Sequence, residues 1–585
     1  MTTRVQETSI PGSQPAAPQS VATFLVRALA QAGVTHVFGV PGGPLMPLYE
    51  ALEDCPGIEP VLAKHEEGAA FMALGYAQVT GRLGVVCGTV GPGALHALTG
   101  VASATADGVP VLALTAQVNS SCFGRGGLQD SSGGNWSVDT VDAFRSATKL
   151  SALAVRPAQV PRLLALAMRS AYAGRPGGVH VSLPADVLTG RLEASTPNGI
   201  RRPAVVAPDP SAVSQLTGAV QAARRGVVLA GQGAKLSGTG PALVRFAEAL
   251  SWQVATTLKG KSVFPEDHPL SAGVFGFGGT ARAHDAMLAT DVDTVFVVGS
   301  ALGEFATDGW DPRLVQGRRL LRIDIDPLRA GAGFEADLHV TGDATAVMDA
   351  LLAELHAPPA SAVPSPLPAP VAPPHEHSPL RASAVMTLMN QLLPKDAIIF
   401  ADNGNCLSWL GQNFVSRPPG AIHVSLNVAS MGSSAGSAIG GQIAARNRPV
   451  VALTGDAAFA MSGMEIHTAA ELGLPVVWVV LNNAGNAMVH NIQQGLFGRS
   501  VGSMYRSPLD VAAIARALGA ESTVATSLAE FQEALLNALA SPTPSAIDVR
   551  VDPDEVPWAL SGRITTLRTA FSPSSSSNGT KDGNE

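Results

Sequence analysis

Residues 451–491 read VALTGDAAFAMSGMEIHTAAELGLPVVWVVLNNAGNAMVHN. Two apolar runs rich in Val end in polar residues, the first in Gly455-Asp456 and the second in Asn482-Asn483-Ala484-Gly485. Short continuous apolar runs of this kind predict buried strands, and 461–473 between them has the apolar spacing of a helix crossing back over a sheet. In an open parallel sheet, ligands gather beyond the carboxyl ends of the strands. If the two strands are neighbours, the Asp456 carboxylate and the Asn483 amide oxygen converge on one point, with the Gly485 carbonyl close by. Oxygen donors in an incomplete cage suit Mg²⁺, which keeps positions for water and phosphate oxygens. The small residues Gly455, Ala457 and Ala458 leave room for a diphosphate to approach the backbone. Either polar pair alone is explained as a turn after a strand; both at this spacing predict a metal and phosphate site.

The same alternation fills the rest of the chain. From Val21 a helix pattern (VATFLVRALAQAGV) leads to the strand pattern HVFGV, followed by GVVCGTV, VPVLALTAQV and GVHVSLPAD. A second set comprises GVVLAG, VDTVFVVGS and RLLRIDID, and a third AIIFADNG, VVALTGD, VVWVVLNN and SAIDVRVD. This predicts an α/β protein of three doubly wound parallel-sheet domains, at 20–195, 205–355 and 380–565. The Pro/Ser/Gln-rich residues 1–19 and the serine-rich tail 572–585 read as disordered, and the proline-dense 356–379 as an extended linker.

Composition narrows the function. Only 14% of the 585 residues are charged, the net charge is -8, and no basic block occurs, which argues against nucleic acid or an anionic membrane as partner. The apolar run 474–481 is far too short to span a bilayer. The first twenty residues lack the apolar core of a signal peptide, so a cytoplasmic location is expected. Cys55, Cys87, Cys122 and Cys406 show no CxxC spacing, which argues against a disulfide scaffold or a zinc site.

Gly455-Asp456 followed by Asn482-Asn483 resembles the diphosphate and metal motif of thiamine diphosphate enzymes, and the chain is most similar to acetolactate synthase large subunits. The three domains would then be a pyrimidine-binding (PYR) domain, a central Rossmann-like domain and a diphosphate-binding (PP) domain. The family pattern has glycine where this chain has Ala457. The resemblance implies thiamine diphosphate and Mg²⁺ as cofactors, with Asp456, Asn483 and Gly485 as metal ligands. It carries cofactor contacts onto Gly404, Asn405 and Cys406 of FADNGNCLSW, and onto Asn486, Ala487 and Met488 after the metal loop. In VLAKHEEGAAFMALGYA it points to Glu66 as the acid that bonds the pyrimidine ring; read without it, the same carboxylates are favourable in a helix's first turn. The wedge that bends the cofactor falls on Met431, beside the Ala429 carbonyl. Pro41, Gly42 and Gly43 fall beside the reactive carbon, and His96 and Gln117 line the active site. Met488, His490 and Ile492 would face the substrate, in a mainly apolar pocket that favours loss of a carboxylate charge as CO₂.

The expected activity is therefore decarboxylation of a 2-oxo acid and ligation of its acyl unit to a second carbonyl compound, by a homodimer or homotetramer. A non-oxidative 2-oxo acid decarboxylase or lyase is the alternative, and a flavin- or nicotinamide-dependent oxidoreductase or a non-catalytic paralogue are further ones. Three departures from the synthase pattern bear on this. The segment 297–310 (VVGSALGEFATDGW) holds no arginine, which weakens the case for bound FAD; Ile492 stands where a tryptophan is usual; and LQDSSGGNWSVD (128–139) is inserted near the rim of the first domain.

Overall fold

The computed structural model describes residues 18–193, 205–355, 378–418 and 420–571. The terminal segments and proline-dense linker singled out above lie essentially outside them. The chain divides into two compact units, Met1–Ala204 and Val205–Glu585. The first holds one six-stranded sheet and the second holds two.

All three sheets are wholly parallel. The sheet of the first unit runs in space Glu59–Leu62, His36–Gly39, Gly84–Gly88, Val111–Gln117, Gly178–Pro184, Leu150–Leu153. The last sheet of the chain repeats that winding: Ala421–Val424, Ile398–Ala401, Val450–Gly455, Val476–Asn482, Ser545–Arg550, Glu521–Ala525. Counted along the chain, both have strand order 2-1-3-4-6-5, whereas the central sheet has 3-2-1-4-5-6, the order of dinucleotide-binding folds. In each outer sheet the winding reverses between the first and third strands, which is where such folds open a crevice. Those points lie beside His36–Gly39 and Gly84–Gly88 in one sheet, and beside Ile398–Ala401 and Val450–Gly455 in the other.

Inner strands such as Val476–Asn482 are buried along their whole length. They sit between helix layers on both faces, which is why they read as unbroken apolar runs. The edge strands were not among those read from the sequence. Glu521–Ala525 is largely exposed and Glu59–Leu62 half so, and both lack a continuous apolar run. One helix expectation is corrected. The single helix over 461–473 is instead two short ones, Asp456–Ser462 and Ile466–Glu471, joined by the 3-10 turn Gly463–Glu465. A Cβ at Gly463 would stand 2.9 Å from the Phe459 ring, so the chain turns there against that aromatic.

The first unit has a buried histidine at its centre. His180 stacks on Phe144 at 4.0 Å, with Nε2 2.8 Å from Thr115 Oγ1 and Nδ1 2.9 Å from Ser151 Oγ. Burial lowers its pKa to about 3, so the fold holds the neutral ring. Because the folded value lies below the unfolded one of about 6.5, this contribution is complete above pH 6.5 and is lost as pH falls toward 3. Exchange protection of Val111–Gln117 and Gly178–Pro184 should therefore fall by up to about 1.4 kcal/mol per pH unit below pH 6.5. His180→Gln, measured in the full chain, should start less protected and lose this slope; an equal slope in both proteins would refute the assignment.

Candidate functional site

In the first unit the site grows from the start of the helix Glu66–Thr80. His65 is its N-cap in extended conformation, and its Nδ1 accepts from the Glu67 amide at 3.2 Å. Glu66 is buried, and His96, from the helix Pro92–Asp107, lies with Nδ1 3.0 Å from Glu66 Oε2. Two glycines make the room. A Cβ at Gly93 would come within 2.9 Å of Glu66 Oε1, and one at Gly42 within 2.2 Å of Thr89 Oγ1. Gly42, Thr89, Gly93, Glu66 and His96 thus form one tight corner at the first sheet's reversal point, with Pro41 and Gly43 exposed beside it.

Gln117 ends the neighbouring strand, almost wholly buried. Its Oε1 accepts from the amides of Val118 at 2.9 Å and Ser131 at 3.2 Å, so it pins the inserted segment 128–139. Within that segment Asp130 accepts from Gly124 and Ser132, and Gln129 sits 3.4 Å from where a Gly91 side chain would begin. The insertion therefore folds back onto the start of the helix that bears His96.

In the second unit Val450–Gly455 and Val476–Asn482 are adjacent, with Gly455 opposite Leu481. Asp456 is fully buried at the start of its helix, and Oδ2 has no hydrogen-bond partner among the described residues. Burial raises its carboxyl to about 6, against the lowering pull of the Asn483 and Gly485 amides. Oδ1 of Asn483 lies 2.7 Å from the Gly485 carbonyl oxygen and 3.2 Å from Asp456 Oδ1. Three acceptor oxygens facing one another repel. Turning the amide over would let its NH₂ donate to both; a cation between them would relieve the repulsion with the amide as it stands. The orphaned Oδ2 of Asp456 favours the cation, because the turned amide leaves that oxygen unpartnered. The residues present thus fit a hard divalent ion.

The loop is built to hold that geometry. Asn482 is spent on the frame, donating to Leu509 O and Asp548 Oδ1 at 2.8 and 2.9 Å. The Asn486 amide donates to Ser503 O, Tyr505 N–H donates to Ala484 O, and a Cβ at Gly485 (φ +151°) would strike Ser503 O at 2.5 Å. Ala457 lies in the first helical turn, where φ is negative, so its methyl is carried without strain. Ala458 is buried next to it.

Asp402, a residue that sequence reasoning did not single out, organises the opposite wall. Fully buried, it accepts from the amides of Asn403, Gly432 and Ser434, the Ser434 hydroxyl at 2.7 Å and, more distantly, Thr454. Asn403 adds bonds to the carbonyls of Ser425 and Ser430. This network brings together the ends of three segments: the turn at Gly404, the 425–434 loop and the strand Val450–Gly455. Gly404 has φ +133° and open space where a side chain would start, at the head of the helix Asn405–Asn413. Cys406 donates to Asp402 O, and burial raises its pKa far above that of a free thiol, so it contributes backbone and not a thiolate. Ala429 (φ +58°) and Gly432 (φ +88°) bracket Met431, and a left-handed alanine costs of order 1 kcal/mol that the loop must hold in place.

Two pocket candidates carry structural contacts. His490 is buried with Nδ1 2.8 Å from Ser500 Oγ and Nε2 2.9 Å from Asp554 Oδ1, so both ring nitrogens are engaged. Met488 packs partly against the core, and Ile492 is half-buried. Asn491, also unnoticed in the sequence, accepts from Asn405 Nδ2 at 2.7 Å and donates to Pro553 O at 2.9 Å. The helix Ala487–Phe497, on which Met488, His490, Asn491 and Ile492 all stand, is thereby tied both to the Gly404 turn and to residues 553–554.

Known proteins account for this layout. Family profiles described as "Thiamine pyrophosphate enzyme" match the chain as N-terminal TPP binding domain at 19–135, central domain at 213–351 and C-terminal TPP binding domain at 402–549. The acetolactate synthase large subunit of Parasynechococcus marenigrum is 32% identical over 94% of this chain and 91% of its own. Acetolactate synthase isozyme 2 large subunit of Escherichia coli is 31% identical over 92% and 97%. A Pseudomonas aeruginosa protein named "Probable 2-ketoarginine decarboxylase AruI" is 33% identical over 86% and 90%. The crystal structure titled "a putative thiamin diphosphate-dependent enzyme", from Mycobacterium smegmatis, superposes with a TM-score of 0.80 at 25% identity, covering 92% of this chain and all of the other. With three family domains in order and such relatives along nearly its whole length, the chain belongs to the thiamine pyrophosphate enzymes, close to acetolactate synthase large subunits.

Proposed function

We propose that this enzyme decarboxylates a 2-oxo acid and joins the acyl unit to a second carbonyl compound, with thiamine diphosphate held through Mg²⁺ by Asp456, Asn483 and the Gly485 carbonyl. The observation that carries the cofactor reading is the buried Asp456 Oδ2, left without a hydrogen-bond partner beside the Asn483 side chain and the Gly485 carbonyl. When bound, thiamine diphosphate supplies a carbon nucleophile and an electron sink for loss of CO₂. Glu66, with Oε2 held by His96, presents a carboxylate positioned to share a proton with the pyrimidine ring. Gly404, Asn405, Cys406, Gly455, Ala457, Ala458, Asn486, Ala487 and Met488 line the diphosphate side, and Met431 and Ala429 set the cofactor's bend. Pro41, Gly42 and Gly43 leave space for the adduct, and Gln117 shapes the substrate rim by anchoring the insertion.

Ligation is favoured over simple decarboxylation by likeness to the acetolactate synthases, and by the engagement of both His490 nitrogens, which leaves that ring no free donor for protonating a product. The decarboxylase reading has support in the Pseudomonas relative. A homodimer or homotetramer completes the proposal. The apolar side chains of Met46, near the Gly42 turn, and of Met461 and Met464, near Asp456, are more than half exposed, which fits faces covered on assembly. FAD is left out, because 297–310 has no arginine, so the purified protein should be colourless.

Glu66→Gln should keep thiamine diphosphate binding and lower turnover by about 100-fold or more, read by cofactor titration and steady-state kinetics; undiminished turnover would remove Glu66 from the mechanism. Asp456→Ala should weaken cofactor binding at limiting Mg²⁺ by at least about tenfold, and Asp402→Ala should do so with a loss of thermal stability, since it strands several buried donors. Unchanged Mg²⁺ dependence in Asp456→Ala would overturn the metal assignment. A panel of 2-oxo acids, alone and paired with aldehydes or a second 2-oxo acid, should give coupled products by mass; free aldehyde as the sole product would establish the decarboxylase.

A further inference from the structure

The corner of the first unit around Glu66 gathers a second group of side chains able to hold a metal ion, unlike the Asp456 group in chemistry. His65, Glu66 and His96 each offer one ligand atom, and these atoms lie within 4.8 Å of one another. Glu66 Oε2 and His96 Nδ1 are 3.0 Å apart, joined by a hydrogen bond; a small opening brings them to the roughly 3.4 Å that separates two tetrahedral ligands with bonds of about 2.1 Å. Both imidazoles are open to solvent while the carboxylate is nearly covered, its side chain 11% exposed against 45% for His96. The carboxylate stands at the first position of its helix, in the room that Gly93 leaves by having no side chain. The rings are stacked 4.4 Å apart at 28°. Ring lone pairs lie in the ring plane, so capture of an ion turns one imidazole out of the stack, a motion about the broad χ2 of histidine.

Two imidazoles and one carboxylate are the ligand set of a borderline ion such as Zn²⁺, whereas the all-oxygen group at Asp456 suits Mg²⁺. We propose that His65, Glu66 and His96 form a zinc-class metal site that is occupied only when the thiamine cofactor is absent. The site itself follows from the geometry of these three residues. The exclusion rests on the proposed role of Glu66, because one carboxylate cannot both ligate an ion and serve the pyrimidine ring.

The test uses the full chain freed of thiamine diphosphate and titrated calorimetrically with Zn²⁺ alone, in an Asp456→Ala background that removes the oxygen site. One ion per chain is expected, with affinity weakened by at least about tenfold in His65→Ala, His96→Ala and Glu66→Gln. Should His96→Ala fail to fold, the exposed His65 and the near-isosteric Glu66→Gln carry the comparison. Zinc affinity equal to the parent in His65→Ala and Glu66→Gln overturns the site. In the chain with Asp456 intact, thiamine diphosphate with Mg²⁺ should raise the apparent zinc Kd, and zinc should weaken cofactor binding in return. If zinc uses these ligands yet binds together with the cofactor, the exclusion is overturned and the role given to Glu66 falls with it. If Glu66→Gln abolishes turnover but leaves zinc binding intact, the metal site alone is wrong.

Discussion

Two carboxylates, Asp402 and Asp456, are buried without exposure at the ends of neighbouring strands of the last sheet. Taking an ionised carboxylate out of water costs several kcal/mol unless donors or an opposite charge replace the solvent. The fold answers this cost in two different ways. Asp402 receives backbone amides and hydroxyls from three segments, so its demand is met inside the protein and the loops around it are tied together. Asp456 keeps one oxygen unpartnered, and that oxygen stays so whichever way the Asn483 amide is turned. The rest of the second unit's site is arranged around that difference. The wall set by Asp402 presents the Gly404 turn and the Met431 loop, and the neighbouring strand end presents the unpartnered oxygen of Asp456.

The first unit obeys a steric constraint instead of an electrostatic one. Glu66 is kept buried and usable because neighbouring positions have no side chain. Gly93 leaves room for the carboxylate, Gly42 lets its turn press on Thr89, and Gly100 lets the helices Glu66–Thr80 and Pro92–Asp107 approach, where a Cβ would come 2.5 Å from Ala70 Cβ. Close helix packing in turn delivers His96 to Glu66. One consequence is a corner in which a buried carboxylate and two imidazoles share a few ångströms, the arrangement on which both proposals for Glu66 rest.

Several residues singled out for chemistry act through contacts that a sequence cannot display. Gln117 points its carbonyl at the insertion, which makes it the anchor of the segment in which this chain differs from the synthase pattern. His490 and its neighbour Asn491 are bonded to residues 553–554, more than sixty positions further on, and Asn491 reaches back to Asn405 at the phosphate-side turn. The helix Ala487–Phe497 is therefore fastened at two places, and substitutions along it would disturb both the Gly404 turn and residues 553–554.

Features that depend on local pattern can be read along the chain. Buried inner strands are continuous apolar runs, so the three parallel α/β domains, the paired Gly455-Asp456 and Asn482-Asn483 strand ends, and the acid-bearing helix start at Glu66 were legible directly or by family likeness. Edge strands such as Glu521–Ala525 were not, because one side lies open and nothing forces apolarity there. Asn483 reads as the oxygen donor because it follows the apolar run; the fold adds why Asn482 is not available, its amide being donated to Asp548. Asp402, Asn491 and the break at Gly463 were decided by tertiary structure alone. Each depends on partners or ring contacts that meet only after the sheet is assembled, and no spacing along the chain encodes which buried polar group will be satisfied within the protein and which will be left for a ligand.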